Sequence, residues 1–420
     1  MEGSSSASHS QKKVYPNKMK NWMQADAEQA RFDSEINIGA DFSGSNRACS
    51  VKGKTNSSPC LGIAPLLFPV LLLYMTGLIM IFDASSGEIV DIASGKNQLT
   101  GIFRQLVYGL VGLGAAYATY RIGWKRIFEK APSLFVGILI LLLLVFVPGI
   151  GIAANGARRW VGIAGLSLQP SEFLKIFMPA FFLYGCAIRP TLYTNMKEFL
   201  LFLALLGLPV LLILVEPNNG TAGVIVVLLG LMIILCSIPA RFWILPLIIA
   251  LIGLGVFAAS STYVRQRISS YLNPEVDIKG KGHQPYQAKI AAGSGGVFGK
   301  GPAKSMQKLS YLPEAQNDYI AAIYAEEFGF MGMTVLIGVY LWLFYEVWKI
   351  VSKVEDSIPF LWGLGILFLF SFQAFMNLGV VSGLLPSTGL NLPFFSQGGS
   401  SLVANSIGIG LLLRMRVSII

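Results

Sequence analysis

From Leu61 onward the chain is a succession of apolar stretches, each near the twenty residues that a membrane-crossing helix needs, joined by short polar connections. Ten are read, at about 61–82, 102–120, 133–153, 170–187, 199–216, 221–238, 242–261, 319–348, 359–384 and 397–414, the last being the least apolar. In hydrocarbon every backbone polar group has to be satisfied within the protein, which leaves helices as the spanning elements. The fold class expected is an all-α polytopic membrane protein of about ten transmembrane helices, with a large extracytoplasmic loop between the seventh and the eighth. Only 13% of the residues are charged, too few to cover a water-soluble enzyme of this size.

Residues 1–60 are polar and hold no apolar run able to offset the entropy of ordering, so a disordered cytoplasmic N-terminal tail is expected. The membrane domain is read as 61–416, with 262–318 as its large loop and 417–420 as a short cytoplasmic end. No basic start runs directly into an apolar core and a cleavage site, so no cleavable signal peptide is expected. The net charge of +10 comes from Lys and Arg scattered at the ends of segments. That pattern suits a polytopic protein and does not suggest nucleic acid as a partner. Basic residues in short connections set the orientation: Arg121, Lys125, Arg126 and Lys130, then Arg189 and Lys197, Arg241, Lys349 and Lys353, and Arg414 and Arg416 all fall on one side. Both termini are therefore expected to be cytoplasmic. The connections 83–101, 154–169, 217–220, 262–318 and 385–396 fall on the other side, where Arg158 and Arg159 break the charge rule and invite a functional explanation.

Candidate chemistry gathers on that outer side. The 262–318 segment is much longer than its neighbours, begins with Arg265 and Arg267, passes through PYQAKIAAGSGGVFGKG (285–301) and ends at Asp318. Loops of that length in compact proteins usually carry function or are disordered. A partly desolvated carboxylate at the membrane boundary can act as a general base toward a hydroxyl; an Asp in a first helical turn is also the ordinary complement of the helix dipole. Glu326 and Glu327 lie two turns deeper and read as ion-pair members rather than catalysts. Glu172 and Lys175, three apart, either pair at a helix start or wall a polar cavity beside Arg158, Arg159 and Trp160. The arginine fork suits phosphate, and a lipid headgroup would satisfy it without catalysis. Glu216-Pro217-Asn218-Asn219-Gly220 and GLLPSTGLNLPFFSQGGSS (383–401) interrupt helix at membrane depth, which persists only where protein or a wet cavity surrounds it. His9 and His283 are isolated and the four cysteines lack metal-like spacing, so a His- or Cys-based centre has little support.

Taken together, GARRWVGIAGLSLQPSEFLK (156–175), EPNNGTA (216–222), RQRISSYLNPEVD (265–277), GGVFGKG (295–301), KLSYLPEAQNDYIAAIYAEEFGFMG (308–332) and the 383–401 stretch resemble the SEDS family of shape, elongation, division and sporulation proteins. The FtsW-like cell-division branch is the nearest and the RodA-like branch the next. The resemblance covers roughly residues 61–416. It implies an inner-membrane peptidoglycan glycosyltransferase, at the division septum, that polymerises lipid II and releases undecaprenyl diphosphate. By the same resemblance the family's essential loop aspartate falls on Asp318, and Arg158, Arg159, Glu172, Lys175, Arg265, Arg267, Gln287 and Ser400 are the expected substrate-binding groups. The implied partners are lipid II, a class B penicillin-binding transpeptidase and other divisome membrane proteins. No cofactor is firmly implied beyond an optional divalent cation, Mg or Mn. The chain departs from the family pattern at Gln316-Asn317 before Asp318, at Asn218, at Thr388 and at Gln397. A lipid II flippase, a non-catalytic scaffold for the transpeptidase and a RodA-like elongation role are the competing readings. Clustering of the unusual polar residues on one face argues for chemistry over alternating access.

Overall fold

The computed structural model describes residues 59–86, 98–154, 157–163, 166–260, 271, 283–308 and 315–417. The expected tail, the loop arginines Arg265 and Arg267, and the last three residues lie outside the described residues. In chain order, α1 (Pro59–Ser86), α2 (Gln98–Ile122), a short α3 (Trp124–Glu129) and α4 (Ala131–Leu144) lead into a small sheet; α5 (Pro170–Ile188), α6 (Met196–Val215), α7 (Asn219–Leu235) and α8 (Ala240–Ser260) follow, then α9 (His283–Ser294), α10 (Ile320–Val351), α11 (Ser357–Val381) and α12 (Gly399–Val417). Every one of the ten apolar stretches falls on a helix. The protein is an all-α multi-pass membrane protein in which α1, α5, α6, α10 and α11 are long and apolar enough to cross a bilayer by length and composition, while α4 and α7 are apolar but shorter.

One stretch does not run as read. The third was expected to continue to residue 153, but α4 stops at Leu144, because Pro148 brings no N–H and Gly149 turns the chain at φ 88°. The chain then forms a three-stranded antiparallel sheet, β1 (Gly151–Ala154), β2 (Ala157–Ile163) and β3 (Leu166–Leu168), with Gly151 opposite Val161 and Val161 opposite Leu168. A bulge between Ile152 and Ala153 shifts the register where β1 meets the arginines.

Side-chain and backbone contacts gather several of the connections at two ends of the bundle. At one end Asp83 meets Lys308, Arg159 meets Glu216 and Pro217, and the main chain at Gln316 meets that at Gln397. At the other, Trp124, Lys353 to Asp356, Pro359 and Met415 line a common cleft, and Arg414 lies against Gly123.

Helix α12, on the least apolar of the ten stretches, is largely enclosed. Ser400, Ser401 and Asn405 on it are buried among other helices, which removes the need for an apolar surface. Its approach to α2 depends on small residues: a Cβ at Gly410 would collide with the Thr119 hydroxyl and the Ala116 carbonyl, and one at Gly112 would come within 2.8 Å of Ser406 Oγ.

Helix α10 is broken at Gly329, whose φ of 63° and ψ of −161° no other residue type adopts readily. The GGVFGKG turn fills the break. Lys300 N and Gly301 N donate to the freed carbonyls of Glu326 and Glu327, each at 3.0 Å, while Phe330 N and Met331 N donate back to Gly296 O at 2.9 Å and Val297 O at 3.0 Å. Side chains at Gly295, Gly299 or Gly329 would collide with the facing main chain, so this glycine pattern is the steric condition for the splice.

Candidate active site

Asp318 stands half-buried in the turn that feeds α10, at the end of the bundle where the sheet, the start of α7 and the 383–397 stretch converge. Its backbone carbonyl accepts a 2.8 Å hydrogen bond from Asn377 Nδ2 on α11. Two residues earlier, Gln316 O accepts from Gln397 N at 2.9 Å. In front of the carboxylate lies Gly389, at φ 71°, where an added Cβ would sit 3.5 Å from Asp318 Oδ2. Glycine there sets no side chain against that oxygen. The neighbouring Thr388 carbonyl rests against Gly220, where a side chain has no room, so the first turn of α7 is brought under the same loop.

The segment before α7 is polar and enclosed. Glu216, one residue past the last turn of α6, is 1% exposed, and neither of its carboxyl oxygens has a hydrogen-bond partner among the described residues. Burial pushes its carboxyl up to about 8, against the opposing pull of Arg159. Asn218 Nδ2, beside it, is buried and has no hydrogen-bond partner among the described residues. The Arg159 guanidinium donates through Nε to Glu216 O at 3.2 Å and through Nη2 to Pro217 O.

The two arginines read together from the sequence therefore separate. Arg159 reaches across to the turn at 216–217, whereas Arg158, opposite Ala153 in the sheet, is exposed. Glu172 and Lys175 form an inward 2.8 Å ion pair on the first turn of α5, with side chains 9% and 2% exposed. Ser400 at the head of α12 accepts from Gln169 N at 2.8 Å and lies 3.2 Å from Ser167 O as donor, which ties that head to β3 and α5. Gln287 sits half-buried on α9. Among the described residues no three His, Cys, Asp or Glu side chains are grouped to hold a metal ion.

Around the break in α10 lies a set of ion pairs that anchors the large loop. Glu326, fully buried, accepts from Lys300 Nζ at 2.7 Å, from Met306 N at 3.2 Å, from Gln307 N at 3.3 Å and from the Ser305 hydroxyl. Lys308 lies between Asp83 Oδ1, 2.6 Å away, and Glu327 Oε1, 3.1 Å away. The two glutamates are ion-pair members, as their depth suggested. Sequence reasoning missed Asp83, Lys308 and Asn377. The signal for Asn377 was available in principle, since a carboxamide within an otherwise apolar span is expected to serve something.

A family model described as cell cycle protein, covering FtsW, RodA and SpoVE, matches residues 64–419. The chain belongs to this family. Among FtsW/RodA/SpoVE relatives, a probable peptidoglycan glycosyltransferase FtsW of Trichlorobacter lovleyi is 37% identical over 357 residues, covering 83% of this chain and 92% of that one. Stage V sporulation protein E of Bacillus subtilis is 35% identical over 353 residues, covering 83% and 95%. Of solved structures, a chain of the assembly described as "Structural coordination of polymerization and crosslinking by a peptidoglycan synthase complex" is 28% identical with a TM-score of 0.66, covering 84% of this chain and 97% of that one. Rod shape determining protein RodA of Thermus thermophilus is 27% identical with a TM-score of 0.60, covering 84% and 96%. Two of this chain's departures from the family pattern, Gln316 and Gln397, prove to be the pair joined main chain to main chain. That contact does not depend on which side chains they carry.

Proposed function

We propose that this FtsW/RodA/SpoVE protein is a peptidoglycan glycosyltransferase that polymerises lipid II into glycan strands during bacterial cell division. The observation that carries the reading is the placing of Asp318: a half-buried carboxylate in the turn at the head of α10, its main-chain carbonyl pinned by Asn377 and its Oδ2 facing Gly389. In this role Asp318 takes the proton from the 4-hydroxyl of the acceptor sugar as that oxygen bonds to the donor's anomeric carbon. The anomeric C–O bond to phosphate breaks, and undecaprenyl diphosphate leaves with the electron pair. Arg158 is the exposed cation available to the pyrophosphate; Arg159 shapes the adjoining turn. A divalent cation, if used, would be held in part by the substrate's phosphate oxygens.

The similarity to a synthase-complex chain supports a class B penicillin-binding transpeptidase as the working partner. Within this proposal both termini face the cytoplasm, the Asp318 end faces outward, and the complex works at the septum with other divisome membrane proteins. The test is polymerisation of labelled lipid II by the purified protein with its transpeptidase, comparing native chain with Asp318→Asn. Glycan from the native complex and none from the variant, with lipid II still bound, is the expected result. Glycan from neither, with folding and the complex intact, would transfer the reading to a flippase or a scaffold.

A further inference from the structure

Asn377 is 2% exposed and lies on α11, within one of the segments that cross the bilayer. Its side-chain amide donates twice, to Asp318 O at 2.8 Å and to Leu390 O at 2.8 Å. Its own Oδ1 is buried and takes no hydrogen bond from the described residues. A carboxamide held by its donors alone, with its acceptor left empty, incurs a desolvation cost that an apolar residue at the same place would not. The two carbonyls it holds belong to the segments that meet at the carboxylate: Asp318 itself, and the residue after Gly389, the glycine that faces Asp318 Oδ2.

Neither segment is regular where it is held. Residues 315–319 form turns, and 384–398 form turns and extended chain that include Phe394 at φ 62°. Other bonds fix more distant points: Tyr340 OH donates to Pro393 O at 2.7 Å, and Gln397 N donates to Gln316 O. Asn377 binds the catalytic candidate and its facing loop through one side chain. Because the NH2 group is planar and both of its hydrogens are used, a shift of either strand relative to the other breaks one of the bonds.

We infer that Asn377 is a positioning residue for the glycosyl transfer: by bridging the main-chain carbonyls of Asp318 and Leu390 it fixes the distance between the general base and the Gly389 wall against which the acceptor sugar is placed. This rests on the role proposed for Asp318. A positioning residue of this kind acts on the rate of the bound complex, because a base displaced by about 1 Å forfeits about a hundredfold in rate. Binding of lipid II through its pyrophosphate, for which Arg158 is the proposed contact, is left in place.

The experiment measures kcat and KM for lipid II polymerisation, and lipid II affinity separately, for the intact complex carrying Asn377→Asp or Asn377→Ser. Asp has the same shape and, ionised, no donor; Ser is small enough to fold in the same space and keeps a single donor. Expected are a fall in kcat of ten- to a hundredfold for Asp, a smaller fall for Ser, and affinity within twofold of native for both. Native kcat in either folded variant, or a loss of affinity that accounts for the whole loss of kcat/KM, overturns the inference. Should Asn377→Asp fail to fold, the Ser variant decides alone. Asp318→Asn run alongside separates the two claims: if it stays active, the role of the base fails; if it is dead while the Asn377 variants turn over normally, only the positioning role fails.

Discussion

Replacing Lys308 by Met is the sharpest probe of how the large loop is attached. The ammonium is 5% exposed and lies 2.6 Å from Asp83 and 3.1 Å from Glu327, whose side chains are 12% and 2% exposed. Met fills the volume of the stem and removes the charge, leaving two carboxylates facing one another without a cation. Removing one member of a buried pair costs about 3–5 kcal/mol, mostly from the charge left behind. Asp83 touches water and recovers part of its hydration, so a loss of about 3 kcal/mol, the lower end of that range, is the expected value. The assay is thermal unfolding in detergent at neutral pH. Adding Asp83→Asn should restore part of the loss, because the like charge is then gone; neighbours in one network couple by about 0.5–3 kcal/mol. A Lys308→Met protein with native stability, or with a deficit indifferent to Asp83→Asn, would show that the ion pairs do not anchor the loop.

Two further outcomes follow from the site. Arg158→Ala should weaken lipid II binding by about 1–3 kcal/mol with unfolding unchanged, whereas Arg159→Ala should lower the unfolding midpoint by freeing the carbonyls of Glu216 and Pro217; equal behaviour of the two variants in both assays would refute the division of roles. For Glu216 the unfolded carboxyl releases its proton near 4.5 and the folded one near 8, so the native chain is penalised increasingly across that interval. Glu216→Gln should therefore match native stability below pH 4.5 and gain on it up to pH 8, with the difference constant above; parallel midpoints from pH 5 to 9 would contradict the burial argument.

Much of the architecture was legible because membrane helices advertise themselves by length and apolarity alone. The contacts that join Asp83 to Lys308 and Arg159 to Pro217 bring together connections that the sequence also grouped on one side. The sheet at 151–168 was missed because Val145 to Ala154 is as apolar as the helix before it, and only Pro148 and Gly149 mark the change. Asp318, Glu216 and the 383–401 stretch stood out as polar groups or helix breakers in the wrong solvent. Asn377 and Lys308 did not, because their importance lies in which distant carbonyl or carboxylate they reach, and pairing across 59 or 225 positions leaves no local periodicity. The separation of Arg158 from Arg159 likewise depended on a strand, in which adjacent side chains point to opposite faces.

The splice at Gly329 also bears on how force would travel through the molecule. Its four main-chain bonds run both ways between the 296–301 turn and the two halves of α10, so a pull on the turn loads them together. A tug applied there by any bound partner would reach the segment beginning at Asp318 as displacement of a strut and would be little absorbed by slack. The amides of Lys300, Gly301, Phe330 and Met331 should accordingly exchange with solvent deuterium as one cooperative group, later than those of an ordinary loop.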